Sequence, residues 1–291
     1  MNYSLKKLVL VPLNILYSVA PITEQKLMFF LKFGYPFPKN PKTFNEKLNW
    51  IKMYYRNDLM PKCADKYWAR EYIKSKGVGE YLPKLYWHGF DADMIPYENL
   101  PNKFVIKVTH GCGFNIICID KSNLDRSEVR NKLKVWLKEK YLKAYGEWHY
   151  GKYDPRIIIE EFIDNGTGTA PDDYKLFCFN NLPNKVGFTA IDSNRFVHHK
   201  RTLYDADWQV RKDWGFGFDV EEDIVVPKPL CYNEMVKVAQ LLSSPFPHSR
   251  IDFYVLGDRF YIGEITFFNG AGYDRLSPIE LNKEVGSWIS I

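Results

Sequence analysis

Arg250-Ile-Asp252-Phe-Tyr-Val-Leu-Gly257-Asp258-Arg259-Phe-Tyr-Ile-Gly-Glu264-Ile-Thr266-Phe-Phe-Asn269-Gly270-Ala-Gly272 is the stretch whose reading decides the fold. It reads as two strands joined by a tight turn and followed by a glycine-bearing loop. Two registers compete. A two-residue turn at Gly257-Asp258 pairs Ile251 with Glu264 and Asp252 with Gly263, mixing polar and apolar groups on both faces. A three-residue turn, Gly257 to Arg259, pairs Asp252 with Glu264 and Arg250 with Thr266. It leaves Ile251, Phe253, Val255, Tyr261 and Ile265 together on the other face. A one-residue slip turns every side chain over, so the clean segregation selects the three-residue turn. That register sets two carboxylates directly opposite each other, which is destabilising by itself. A hard cation such as Mg²⁺, which favours carboxylate and phosphate oxygens, is one resolution. A surface hairpin in which Arg250 neutralises one acid is the other.

Upstream, Phe104-Val-Ile-Lys107-Val-Thr-His110-Gly111-Cys112-Gly113-Phe-Asn115-Ile-Ile-Cys-Ile reads as strand, glycine turn, strand. Small residues let backbone N–H groups approach a phosphate, and a strand-end lysine supplies a point charge. A plain hairpin turn fits the same residues. It is not a Walker A sequence, since the helix and the G-K-[ST] run are missing. Arg156-Ile-Ile-Ile-Glu160-Glu161-Phe162-Ile163 is a buried strand ending in acids, before a Gly166-Thr-Gly-Thr loop. Asp173-Tyr-Lys175-Leu-Phe-Cys-Phe opens the next strand, with Asp173 and Lys175 on one face. A cross-strand ion pair suits them. Lys185 to Ile191 and Phe196 to Leu203 read as further strands. His198-His199-Lys200-Arg201, with Arg195 nearby, is the most basic segment. It suits a carboxylate- or phosphate-binding pocket or a solvated edge strand, and is too compact for a metal site without a third ligand.

Thr43-Phe-Asn-Glu46 is a capping box opening a helix that carries Leu48, Ile51 and Tyr55 at helical spacing. Ala64 to Lys76 reads as a second helix, ended by Gly77, with Asp65, Lys66 and Arg70 on a solvated face. Ser127 to Tyr141, Tyr232 to Leu242 and Ile279 to Ile289 are further helices, and Leu82 to Trp87 is a strand. At the N-terminus, Lys6-Lys7 precede an apolar run from Leu8 to Ala20 that is interrupted by Pro12 and Asn14 and too short to span a bilayer. Pro21 would follow the candidate cleavage site at Ala20, which argues for an uncleaved helix. Such a helix packs on the body or rests on the inner membrane face. Pro36, Pro38 and Pro41 set residues 1–42 apart as a separate element.

The chain of 291 residues can bury a large core and hold one to three small lobes. Its hydrophobic content of 46%, with 16% aromatic residues, is that of a globular chain and excludes disorder. A net charge of +5 without a long basic run suits small anionic substrates or a membrane surface, and argues against nucleic acid. Five scattered cysteines without a C-x-x-C pair read as reduced thiols of a cytosolic, that is cytoplasmic, protein.

Arg250-x-Asp252, Glu264 on the next strand and the glycine loop after it are similar to the metal-binding end of the ATP-grasp superfamily. Further stretches fall in a matching order: Phe44-Asn45-Glu46-Lys47-Leu48, Ala64-Asp65-Lys66-Tyr67, Phe104–Lys107 with His110–Gly113, Asp173–Phe179 and Gly263–Phe267. Together they make the chain, from about Phe44 to its end, resemble the TupA-like ATP-grasp proteins of bacterial surface-polysaccharide biosynthesis. The resemblance implies an α+β, ATP-grasp-like fold, with the nucleotide between two small antiparallel sheets and an added N-terminal helical element. Its lobes would be 43–102, a lid and hinge at 103–175, and a metal-bearing C-terminal part at 176–291.

The resemblance also implies ATP and Mg²⁺ as cofactors. Lys107 would contact the phosphates and share in catalysis, under a lid of His110, Gly111, Gly113 and Asn115. Glu160, Glu161, Phe162 and Ile163 would surround the adenine, and Asp173 and Lys175 would meet a ribose hydroxyl and a phosphate. Asp252, Glu264 and Thr266 would hold the metal, and Arg250 would stabilise charge on the transferred phosphoryl group. Substrate contacts would come from Asp65, Lys66, Arg70, Arg195, His198, His199, Lys200, Arg201, Asn269, Gly270 and Gly272. Many members of the superfamily place Asn two residues after the metal-binding Glu; this chain has Thr266 there, and Asn269 further on. The implied reaction is ATP-dependent carboxylate–amine ligation through an acylphosphate, joining an amine such as an amino acid to a carboxylate-bearing sugar or glycan, such as a uronic-acid unit. Two other classes compete. A glycosyltransferase would use an Asp-x-Asp triplet, and Asp91-Ala-Asp93 lies in a loop. A catalytically silent carbohydrate-binding or assembly protein would tolerate the altered Asn position.

Overall fold

A computed structural model describes residues 10–111, 113–140, 142–166, 171–193, 200–217 and 225–291. Strands β1 (Leu85–Gly89), β2 (Phe104–Val108), β3 (Asn115–Cys118) and β4 (Ile157–Glu160) form an antiparallel sheet in the order β1-β4-β2-β3. Strands β5 (Asp173–Phe179), β6 (Val186–Ser193), β7 (Lys200–Asp205), β9 (His248–Leu256) and β10 (Arg259–Thr266) form a second, in the order β10-β9-β5-β6-β7. β8 (Gly215–Phe216) pairs with β11 (Leu276–Ser277). The mixture of helices with antiparallel sheets is the α+β class read from the sequence. β1 pairs with β4, so the small sheet straddles residues 102 and 103, and β5 belongs wholly to the large sheet although it starts before residue 176.

Each sheet presents one apolar face and one half-polar face, because side chains alternate along a strand. Phe104, Ile106, Val108, Ile157 and Ile159 bury one face of the small sheet under helix α6 (Arg126–Lys138), which contributes Val129 and Leu133. Asp125 starts that helix by accepting hydrogen bonds from Ser127 N and Glu128 N, each at 2.9 Å. Val105, Lys107, Ile158 and Glu160 point the other way. On the large sheet, Leu176, Ile251 and Phe253 lie in one core with Met235, Val238, Ala239 and Leu242 of helix α7 (Tyr232–Ser243). The opposite face is divided. At one end Phe177 stacks on Phe188 at 4.2 Å between centroids. There Phe44, on helix α3 (Phe44–Tyr54), meets Phe179, Phe216 and His248 edge-on, with helix α8 (Ile279–Ser287) alongside. Fully burying one such ring stabilises by roughly 1.5–3 kcal/mol. The other end of that face is charged.

The hairpin corrects the sequence argument in its detail. Leu256 pairs with Arg259, so the turn has two residues, Gly257-Asp258, rather than three. The extra residue sits inside the strand instead. A bulge at Gly263 shifts the ladder by one, and beyond it Glu264 pairs with Asp252 and Thr266 with Arg250. Gly257 has a φ of 58°, which a short hairpin turn demands. Between turn and bulge the faces are therefore exchanged: Phe260 and Ile262 join Phe253 in the core, and Tyr261 pairs with Tyr254 on the polar side.

The helix expected over 64–76 spans Trp68–Ser75 (α5), and a separate short helix, α4 (Leu59–Ala64), precedes it. Asp65 separates them, its carboxylate accepting from Tyr67 N at 2.9 Å and Trp68 N at 3.0 Å. The N-terminal element is two helices, α1 (Val11–Val19) and α2 (Pro21–Phe33), the second closed by Gly34 at a φ of 84°. Among the described residues no helix is long and apolar enough to cross a membrane.

Candidate functional site

Between the charged end of the large sheet and the inner face of the small one lies a cavity of about 420 Å³. The antiparallel pairing of β2 with β4 places Lys107 and Glu160 on that inner face. Lys107 Nζ donates to Glu160 Oε1, and Arg70 Nη1, from α5, donates to Glu160 Oε2 at 3.3 Å. Burial pushes the Lys107 ammonium down, but the charges of Glu160, Tyr254 and Glu264 outweigh it and hold the group above the ordinary lysine value. Burial pulls the Arg70 guanidinium down, with Glu160 opposing. Arg70 Nε has no hydrogen-bond partner among the described residues. Two cations thus share one carboxylate at the wall of the cavity.

The turn after β2 is tied to α4 and α5. Lys66 N donates to Thr109 O at 3.1 Å and Lys66 Nζ to Gly111 O at 2.8 Å. Gly111 and Gly113 take φ of 74° and 80°, the left-handed region that favours glycine. His110 Nε2 and Glu139 O lie 2.8 Å apart. Lys66, His110 and Gly111 line the cavity; Gly113 and Asn115 do not.

Across the cavity stands Arg250. Its Nε donates to Asp252 Oδ1 at 2.6 Å and its Nη2 to Asp252 Oδ2 at 2.7 Å. The same Nη2 reaches Glu264 Oε1 and Thr266 Oγ1, each at 3.1 Å, while Nη1 donates to Asn269 Oδ1. Asp252 Oδ2 also accepts from Lys175 Nζ at 2.8 Å, and Lys175 donates to Asp173 as well. Farther along the sheet, Asp192 takes Arg201 Nε at 2.6 Å and Nη2 at 2.9 Å. Ion pairs therefore cross from β10 to β7 on one face. Burial pushes the Asp252 carboxyl up, but Arg250 and Lys175 together hold it well below the usual carboxylate range.

The two opposed carboxylates are thus where the register put them, and the guanidinium of Arg250 lies between them. Asp252, expected as a metal ligand, is 2% exposed, commits both oxygens to cations and lies off the cavity. Glu264 differs: its side chain is 46% exposed and lines the cavity, with Thr266 Oγ1 donating to it at 3.3 Å. Among the described residues no group of three or more His, Cys, Asp or Glu side chains could hold a metal. On this wall the oxygens that face the cavity are those of Glu264 and Thr266, the donor type that Mg²⁺ favours, and both also meet Arg250 Nη2.

The remaining expected residues divide. Arg250, Asn269 and Gly270 line the cavity, and so does Glu160, alone of the hinge residues. Glu161 N donates to Lys84 O at 2.8 Å, and Phe162 and Ile163 are buried away from the cavity. Asp65 is a helix cap, Gly272 gives its carbonyl to Asn49 Nδ2 at 2.9 Å, and Asp173 and Lys175 stand behind Arg250. Lys200 and Arg201 sit on the far strand, while Arg195, His198 and His199 lie outside the described residues.

One wall of the cavity comes from a stretch to which the sequence assigns no site role. Glu139 and Lys140, expected in the helix to Tyr141, lie beyond its end at Lys138 and join Leu142, Tyr145, Glu147 and Tyr150 in an irregular connection after α6. The only sign in the sequence is its density of aromatic residues. Glu147 is pushed up to about 7 by burial, with nearby Lys52 opposing. Burial brings Lys52 down to about 7; its Nζ donates to Ala271 O at 2.8 Å and lies 3.9 Å from the Tyr273 ring centroid.

Residues 46–290 match the profile described as TupA-like ATPgrasp. No curated protein matches the chain. Among solved structures, an L-amino acid ligase from Bacillus licheniformis aligns at 13% identity and a TM-score of 0.49, covering 88% of this chain and 56% of that one. A D-alanine–D-alanine ligase from Bacillus anthracis, complexed with ATP, aligns at 13% identity and a TM-score of 0.45, covering 78% and 62%. The Helicobacter pylori D-alanine–D-alanine ligase gives 13% identity and 0.43, covering 79% and 61%. This chain spans less than two thirds of each of those proteins. The profile, by contrast, extends over most of the sequence, and on that ground the chain belongs to the TupA-like ATP-grasp family.

Proposed function

We propose that the chain is an ATP-dependent carboxylate–amine ligase, acting in the cytoplasm in surface or capsular polysaccharide assembly. Its substrates would be a carboxylate-bearing sugar or glycan, for example a uronic acid, and an amine such as an amino acid. One observation carries the reading: Lys107 and Arg70 on one side of the cavity face Arg250 and Glu264 on the other. A cavity of about 420 Å³ is within the usual range for small-ligand sites. In this reading Lys107 neutralises phosphate oxygens, and the His110–Gly111 turn covers them. Glu264, with Thr266, would hold Mg²⁺, which supplies charge neutralisation at the phosphates. Arg250, fixed by Asp252, meets charge on the phosphoryl group in transfer, where preorganised donors are worth most. The carboxylate oxygen attacks the terminal phosphorus and ADP leaves. The amine then attacks the acyl carbon, the C–N bond forms, the C–O bond to phosphate breaks, and phosphate departs with a proton from the amine.

The test supplies ATP, Mg²⁺ and a series of uronic acids with hydroxylamine in place of the amine. A ligase yields a hydroxamate. A stable phosphorylated sugar would make the protein a kinase, and consumption of a sugar nucleotide without ATP would make it a glycosyltransferase. Arg250→Ala should lower kcat more than it raises KM, since the charge it meets is largest in the transition state. Normal turnover by that variant would remove the residue from the catalytic assignment.

A further inference from the structure

Helices α1 and α2 bury little. Val11, Ile15 and Val19 recur every four residues on α1, and Ile15 and Val19 are 62% and 78% exposed. On α2, Phe30 and Leu31 are 48% and 60% exposed, opposite the side that packs Met28 and Phe29 on the body. Stripes of this kind on a small domain ordinarily have an occupant.

The charge around them identifies its nature. Residues 10–42 contain Lys26, Lys32, Lys39 and Lys42, all exposed, and one acid, Glu24, which is 0% exposed. The surface of this element is thus apolar and cationic, with no acid on it. The α1 stripe also lines an open groove of about 840 Å³, whose far side is Val135 and Leu142 and whose rim carries Lys138, Lys140 and Lys143. The acid of that lining, Glu139, is half-buried and also lines the main cavity. Lys143 Nζ donates to Ser18 Oγ at 3.3 Å and Ala144 N to Asn14 Oδ1 at 2.8 Å, which fixes α1 against the body.

We infer that α1, α2 and the lysine-rimmed groove form a docking surface for an anionic lipid bilayer, with Ile15, Val19, Phe30 and Leu31 entering the interface and the lysines meeting lipid phosphates. Helices that lie in a membrane interface combine these two features, an apolar stripe and flanking Lys or Arg. Glu139, Lys140 and Leu142 belong to both groove and cavity, so docking brings the cavity beside the headgroups.

The experiment is co-sedimentation of the full chain, without nucleotide, with vesicles of phosphatidylglycerol and phosphatidylcholine and with vesicles of phosphatidylcholine alone. Ligase activity plays no part in it, so the two readings stand or fall separately. The wild-type chain should sediment with the anionic vesicles, less so at high salt, and not with the neutral ones. Ile15→Glu with Val19→Glu should weaken that binding by about tenfold or more. Circular dichroism should show an unchanged fold, since both positions are exposed. Failure of the wild type to bind anionic vesicles, equal binding to neutral ones, or undiminished binding by the variant would each overturn the inference. A concentration-dependent dimer abolished by the same substitutions, without vesicle binding, would give the surface to a second copy instead.

Discussion

Arg250 has a structural and a chemical assignment, and neighbouring substitutions separate them. Asp252 is its counter-ion as well as that of Lys175, so Asp252→Asn leaves buried cations short of charge. Breaking a buried pair in this way costs about 3–5 kcal/mol. Thermal melting of Asp252→Asn should therefore fall by several degrees or more, and an unchanged melt would contradict the placement. Glu264→Gln should barely move the melt, because that side chain is half-exposed, yet it should lower the Mg²⁺-dependence of nucleotide binding. Lys107→Ala tests the opposite wall. Loss of a charge-assisted contact worth about 1.5–3 kcal/mol should weaken ATP by about 10- to 100-fold and leave adenosine nearly unchanged, by calorimetry. Equal weakening of both would remove the phosphate role. The pairing of Asp252 with Glu264 was legible in the alternation of polar and apolar residues. That Arg250 would lie between them was not, since a guanidinium and a divalent cation resolve the same conflict.

At the scale of elements, α2 carries a buried acid that makes stability depend on pH. Burial lifts Glu24 from 4.5 to about 7, with Gln25 and Lys52 pulling it down. Its Oε1 has no hydrogen-bond partner among the described residues. Because the folded pKa is the higher one, the folded chain still holds a proton that the unfolded chain has released between pH 4.5 and about 7. This group's contribution therefore declines as pH rises through that window. Glu24→Gln should flatten the decline and raise the melting temperature at pH 7, as scanning calorimetry across the window would show. A steeper decline in the variant would refute the assignment. The apolar character of the N-terminal element was readable, but its division at Pro21 into two helices was not. The burial of Glu24 was not, because it depends on the 142–150 segment, which has no repeat for sequence reasoning to catch.

The whole molecule places its cavity between walls that are remote in sequence: α5, the β2–β3 hairpin, the connection after α6 and the β9–β10 hairpin. A ligand that fills it contacts both sheets at once, so binding should raise global stability. ATP with Mg²⁺ at one hundred times its Kd should add about 2.7 kcal/mol, seen as an upward shift of a single cooperative melt. A shift confined to one of two separate transitions would show that the walls unfold independently. Individual strands were legible as short runs joined by glycine turns, and their grouping into two antiparallel sheets came from the family resemblance. How they are divided was not legible, because the partner of β1 lies some seventy positions downstream, and strand pairing over that distance leaves no local pattern.

Gly263 bears on which length variants of this chain can fold. A single residue too many in the outer strand offsets a turn that is one residue shorter than the alternation requires. Removing Gly263 would make the ladder regular from tip to base, with Ile262 still opposite Phe253 in the core and Glu264 still opposite Asp252 on the charged face. The bulge thus absorbs one residue without moving either side of the ladder, so a chain one residue shorter at Gly263 should keep both the core pairs above it and the charged pairs below it.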